Sequence, residues 1–266
     1  MMDYHHVLEA AGIVVSGVLF YSLAYGWFRP DDPRRRPLWI AVLGLGWGAL
    51  AVVLMISRIQ TAQGPFIDAR TIPIAIIGLF EGWWAGLLAA LAAVAYRVYM
   101  GGSGAAAGVI TVLAVAAAGG LAHRWAGGTA RVRVHHAFVL GVATFFITFG
   151  GFGLLGERGR TLFARVWPSY LALIVLGLPI LALLMQSIVE RRLLEQERDR
   201  FRSVLDDASD AIRIVDADTG RILDANHADC GLSGLALEQM LGRDGREFWP
   251  EPPTAPAPRG VARAVG

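Results

Sequence analysis

Charge is scarce in this chain. Asp, Glu, Lys and Arg make up 17% of its 266 residues, where soluble domains carry about 25%. Lysine is absent, so all 24 basic side chains are arginine. Cysteine occurs once, as Cys230, which excludes an internal disulfide framework and a cysteine-based metal site. The opening "MMDYHHVLEAAG" has no basic stretch and no clear cleavage site, so the first apolar block is expected to be retained as a span. No phosphate loop, histidine phospho-acceptor box, GGDEF-type motif or catalytic triad is present, and catalysis therefore has no visible seat in this polypeptide.

What the chain has instead is apolar length. Hydrophobic residues make up 55% and the mean hydropathy is +0.50, a deviation concentrated between residues 7 and 189. Blocks at about 7–28, 38–57, 72–95, 104–122, 136–156 and 166–189 each approach the ~20 residues that cross a ~30 Å hydrocarbon core. The expected fold class is a membrane all-α helical bundle of six to seven apolar segments, one of them short or broken. A connector helix and a partial α/β segment follow. The pI near 9.0 comes from arginine and suits loops facing anionic lipid; no nucleic-acid partner is expected.

Six unbroken spans put seven arginines in the inner loops and eight in the outer ones, against the positive-inside rule. Breaking the third block at "EGWWAG", with 66–80 and 83–100 as separate segments, reverses the balance. Nine then lie inside (Arg29, Arg34, Arg35, Arg36, Arg124, Arg131, Arg133, Arg191, Arg192) and six outside. Glu81 moves into a tight inner turn with Gly82, away from the membrane centre, where an ionised group costs roughly 2.5–3.5 kcal/mol. Segment 66–80 would be about 22 Å long, a half-helix that needs protein around its ends.

In the broken arrangement Asp68, Arg70 and Arg97 share the outer face. In an unbroken helix the two arginines would stand ~40 Å apart. Two guanidinium forks beside "YRVYMGGSGAAAG" point to an anion pocket, because arginine pairs bidentately with carboxylate or phosphate and stays charged. A helix beginning near Ser103 would aim free N–H groups at the same spot. Asp68 would hold one arginine when the site is empty, and a small carboxylate would suit the size. The blander readings are snorkelling arginines, a helix N-cap at Asp68, glycines serving helix packing, and Glu81 as a plain turn residue.

The run "DARTIPIAIIGLFEGWWAGLLAALAAVAYRVYMGGSGAAAGVI" resembles the LytS-type five-transmembrane receptor module of bacterial sensor proteins, over about residues 30 to 190. The D-x-R opening, the apolar run ending in a glycine-bearing turn, and Y-R before a double glycine carry the likeness. It implies a receptor in the cytoplasmic membrane joined to histidine kinase or diguanylate cyclase output, with several members tied to cell-wall metabolism. The positions carried over are Asp68, Arg70, Tyr96, Arg97, Gly101 and Gly102. Ser103 and Thr111 are the polar candidates beyond the double glycine.

Residues 186 to 209 read as a helix continuing out of the last span. Leu194, Phe201 and Ala208 recur at seven, which fits a connector that pairs two copies or a helix packing on the next domain. "AIRIVD" and "RILDAN" read as strands around an "ADTG" turn, and "LALEQMLGR" as a short helix. Together they look like the first half of a PAS domain, with Asp216, Gly220, Asn226, Gly234 and Gly242 in the family's places. The expected domains are 1–189, 190–209, 210–250 and a disordered Pro/Ala-rich tail 251–266, in a chain that breaks off within the PAS fold. Cys230 is expected to be a small core residue, and no cofactor is expected. The function expected is a membrane signal receptor with a small anionic ligand, the lipid bilayer and a second copy as partners. The alternative is a capture subunit like those of energy-coupling transporters, which would need neither the charged helix nor the PAS half.

In a Cys230→Ala background, Arg70→Cys and Arg97→Cys should react with a membrane-impermeant thiol reagent from the same side of the bilayer. Labelling from opposite sides would exclude the broken topology.

Overall fold

The computed structural model describes residues 4–27, 34–56, 69–102 and 104–248. Asp68, Ser103 and the tail 251–266 lie outside the described residues. By contacts the chain divides into two units, Met1–Arg191 and Arg192–Gly266.

The first unit is built from α1 (Tyr4–Trp27), α2 (Arg36–Ile56), α3 (Thr71–Glu81), α4 (Trp83–Met100), α5 (Ala105–Ala126), α6 (Val134–Gly153) and the membrane part of α7 (Gly156–Asp206). Helices α2, α4, α5, α6 and α7 are long and apolar enough to cross a membrane, while α1 and α3 offer the shorter stretches Val15–Tyr25 and Thr71–Glu81. The break expected at "EGWWAG" is present. Gly82 separates α3 from α4 with φ 82° and ψ −163°, a backbone region open to glycine and strained for other residues. The short segment begins at Thr71, so its helix is 11 residues and about 16 Å long, roughly half a bilayer core.

Every residue of α3 from Thr71 to Phe80 is buried. A helix buried in this way cannot turn its end carbonyls to solvent, and leaving them unpaired would be costly. They are paired internally. Gly82 N–H donates to the Gly78 carbonyl at 3.0 Å. His123 Nδ1–H donates to Leu79 O at 2.9 Å, and the Thr129 hydroxyl donates to Phe80 O at 2.6 Å. The walls close in because glycine lets backbones touch. A β-carbon at Gly78 would stand 3.2 Å from the Gly119 Cα of α5, and one at Gly86 of α4 would stand 3.1 Å from the Gly78 Cα. Such close approach maximises dispersion contact where lipid offers no hydrophobic drive between helices.

α7 is a single helix of 51 residues, about 76 Å by its rise. It contains Pro168 and Pro179, which transmembrane helices tolerate when neighbours compensate the lost backbone bonds. The connector read from the sequence is the continuation of this helix.

In the second unit β1 (Arg213–Val215) pairs antiparallel with β2 (Ile222–Ala225), with an irregularity between Ile214 and Val215. The turn between them is organised by Asp216, which accepts from the backbone N–H of Asp218 and Thr219 and from the Thr219 hydroxyl. These donors, Thr219 first, hold its carboxyl below the ordinary aspartate range. The turn's stabilisation is therefore present above that range and is lost as the pH falls through the lowered value. Helix α9 (Leu237–Met240) lies within the stretch expected to be helical, whereas α8 (His227–Ser233) was not anticipated. It starts because Asn226 Oδ1 accepts the Asp229 N–H at 3.0 Å, an N-cap. Ile222, Ala225 and Met240 form a small core against which Cys230, Leu235, Leu237 and Phe248 pack.

Gly82→Ala should destabilise the detergent-solubilised protein by about 1–3 kcal/mol, read as a lower Tm. Its β-carbon would also meet His123 at 3.1 Å, whereas Gly177, with nothing within 4 Å, should accept alanine without loss.

Candidate functional site

Arg70 precedes the first turn of α3 and Arg97 sits in the last turn of α4. The reversal at Gly82 returns the chain to the level at which it began, so the two arginines reach the same end of the bundle. Both side chains then cross to α5. A β-carbon at Gly108 would stand 2.9 Å from Arg70 Nη2 and 3.1 Å from Arg97 Nε, which places these nitrogens within about 6 Å of one another. Arg97 Nη2 also lies 3.3 Å from the β-carbon position of Gly104. Glycine at 104 and 108 is what lets two guanidinium groups lie against the first turns of a helix. The glycines of α5 thus divide by position: Gly119 and Gly120 serve helix packing, while Gly104 and Gly108 adjoin the arginines. Both fall in "GGSGAAAG", the stretch beside the arginines whose glycines allow close backbone approach.

The turn leading into α5 needs Gly101 and Gly102, with φ 66° and 93°. Gly101 N–H closes α4 on the carbonyls of Arg97 and Val98, and Ala105 N–H bonds Gly102 O. The N-terminal dipole of α5 therefore begins beside the guanidinium groups, adding positive potential to theirs. Tyr96 is half-buried and packs on the main core. Thr111 is buried, donates its hydroxyl to Ala107 O at 2.8 Å and stands against Gly151 of α6. Of the residues expected at the site, Arg70 and Arg97 are the pair brought together.

The far end of α3 corrects the expectation for Glu81. It does border the turn, but its carboxylate faces inward rather than serving as a plain turn residue. Oε1 accepts from the Tyr21 hydroxyl of α1 at 2.6 Å, and Oε2 accepts from the Trp39 indole N–H of α2 at 2.8 Å. Tyr21 and Trp39 are fully or nearly fully buried, and Tyr25 packs edge-on against Trp39 at 5.1 Å. One carboxylate thereby joins α1 and α2 to the C-terminal end of α3. Sequence separations of 60 and 42 residues hid this from local pattern.

In the second unit Arg213 forms a bidentate pair with Asp229, at 2.8 and 2.7 Å. Its guanidinium also lies over the Phe248 ring at 5.0 Å. Asn226 uses its whole hydrogen-bonding capacity. Its Oδ1 accepts from Ile212 and Asp229, and its Nδ2 donates to the carbonyls of Leu205 and Asp210. The end of α7 is thereby pinned to the start of β1.

A family model described as 5TMR of 5TMR-LYT matches residues 31–192, and a PAS domain model matches residues 199–264. No curated protein and no solved structure matches the chain.

Glu81→Ala leaves two buried donors without their acceptor. It should lower stability by about 1–3 kcal/mol for each donor left unpaired, seen in thermal melts of the purified protein in detergent.

Proposed function

The chain belongs to the 5TMR-LYT family of five-transmembrane receptor modules and carries a PAS domain, and on that premise we propose that it is the membrane sensory region of a signal-transduction protein. The ligand in this reading is a small anion, a carboxylate by size, held at the outward end of the bundle by Arg70 and Arg97. The observation that carries it is the convergence of both guanidinium groups on Gly108 at the first turns of α5. Two fixed positive forks and a helix N-terminus sum at one point, and a carboxylate or phosphate answers all three. Asp68 and Ser103 belong to the same proposed ligand set, with Gly101 and Gly102 shaping the turn.

The protein is multi-pass in the membrane. We assign it to the bacterial cytoplasmic membrane with the C-terminus inside, on the arginine balance of its loops. Output in this reading passes down α7 to the PAS domain and on to a histidine kinase or diguanylate cyclase of a two-component or cyclic-dinucleotide pathway, with control of cell-wall organisation as one destination. The exposed side chains of Leu194 and Phe201 on α7, seven residues apart, support pairing of two copies through the connector.

The test is thermal stability in detergent across acetate, oxalate and inorganic phosphate. At least one should raise the Tm of the wild type, and Arg70→Ala or Arg97→Ala should remove the gain. Loss of one charge-assisted pair, about 1.5–3 kcal/mol, corresponds to roughly a 10- to 150-fold weaker affinity. Full retention of the shift in both variants would refute the site.

A further inference from the structure

Thr71 follows Arg70 directly, is 2% exposed, and its Oγ1 lies 3.1 Å from the Tyr170 hydroxyl of α7. That hydroxyl lies 3.3 Å from Thr148 Oγ1 of α6, and Thr148 donates to the Thr144 carbonyl at 2.9 Å. A carbonyl only accepts, so the single Thr148 proton goes there, and its oxygen faces the Tyr170 hydroxyl as an acceptor. The three hydroxyls thus link α3 to α7 and α7 to α6. All three residues are buried, at 2%, 4% and 5% exposure.

Valine and phenylalanine would fill the same space without polar atoms to satisfy, so packing alone does not call for these hydroxyls. What they add is register. The Thr144 hydroxyl, four residues before Thr148 on the same face of α6, is fully buried and has no hydrogen-bond partner among the described residues. Tyr170 therefore has a second acceptor available one turn along α6, about 6 Å away by the helical rise. A helix that can exchange one partner for an equivalent one a turn away has two discrete positions, the kind of element a ligand can bias.

We propose that Tyr170 is a positioning residue that couples the anion site to α7, through its hydroxyl bond to Thr71 beside Arg70. An anion that seats between the Arg70 and Arg97 guanidinium groups beside Gly108 repositions Arg70, and with it the start of α3 and Thr71. Tyr170 then loses the bond that holds it level with Thr148, and α7 moves along α6 toward Thr144. The coupling rests on the anion-site reading above, and it specifies how occupancy would reach the output helix.

The experiment is hydrogen–deuterium exchange of the full chain in lipid nanodiscs, with acetate, oxalate and inorganic phosphate as probes and thermal stabilisation measured in parallel. In the wild type, the anion that stabilises should also change exchange in residues 190–206. Tyr170→Phe should bind that anion with affinity within about threefold, the mean worth of one interhelical hydroxyl bond in a bilayer, yet lose the exchange response. Thr71→Val should behave the same way, and Thr71→Ser should restore the response. Should Tyr170→Phe not fold, Thr148→Val breaks the same chain from the α6 side and gives the same readout. A Tyr170→Phe protein that binds and responds like the wild type overturns the coupling and leaves the anion site standing. So does one that loses binding and response in equal measure, because Tyr170 is then part of the pocket. If none of the three probes stabilises the wild type, the anion site fails and the coupling falls with it.

Discussion

A helix of 11 residues buried along its length is the constraint on which the first unit depends. At about 16 Å it is too short to place both ends in water. Its terminal polar groups must find partners within the protein, and the other helices are arranged to supply them. His123 and Thr129 come from the far end of α5 and the segment after it to take the last carbonyls. Glu81 closes that end by holding Tyr21 and Trp39. The opposite end opens with Arg70 and Thr71, which stand beside Gly108 of α5 and Tyr170 of α7. The fold and the candidate site are therefore two aspects of one solution to a short helix in an apolar interior.

The same geometry accounts for where the glycines fall. Where α3 crosses α5, Gly78 meets Gly119, and removing two side chains lets the backbones approach as membrane helices require. At the start of α5, Gly104 and Gly108 leave room of a different use, since what enters it is guanidinium. The reversal at Gly82 joins these roles. With φ 82° the chain doubles back, and residues 27 apart in sequence arrive at one place. Charge that would be costly in the middle of a long span is thereby moved to the two ends of a short one.

Much of this was legible from composition and local pattern. The excess of arginine in the outer loops of a six-span chain and Glu81 in mid-block both pointed to a break at "EGWWAG", because lipid penalises ionised groups and orients loops by positive charge. The same reasoning put Arg70 and Arg97 on one face. The continuation of the last span into the connector was visible in its composition, and the hairpin of the PAS domain in its turn residues. Helix α8 was not seen, since "HADCGLSG" carries no apolar period and its start depends on the Asn226 cap. The inward turn of Glu81 was not seen either. A turn position predicts exposure unless buried donors stand opposite, and Tyr21 and Trp39 come from two other helices.

By itself the sequence determined the solvent of each segment, the order of the six to seven apolar segments, the break at "EGWWAG" and the class of domain that follows. These depend on local composition and on one-body costs of placing charge in lipid. Only the tertiary structure decided which polar groups meet. Glu81 with Tyr21, Thr71 with Tyr170, and both arginines with Gly108 join residues from different helices, most of them far apart in the chain. Such pairings are set by helix rotation and packing depth, which follow from how whole surfaces interlock and leave no periodic trace along the chain.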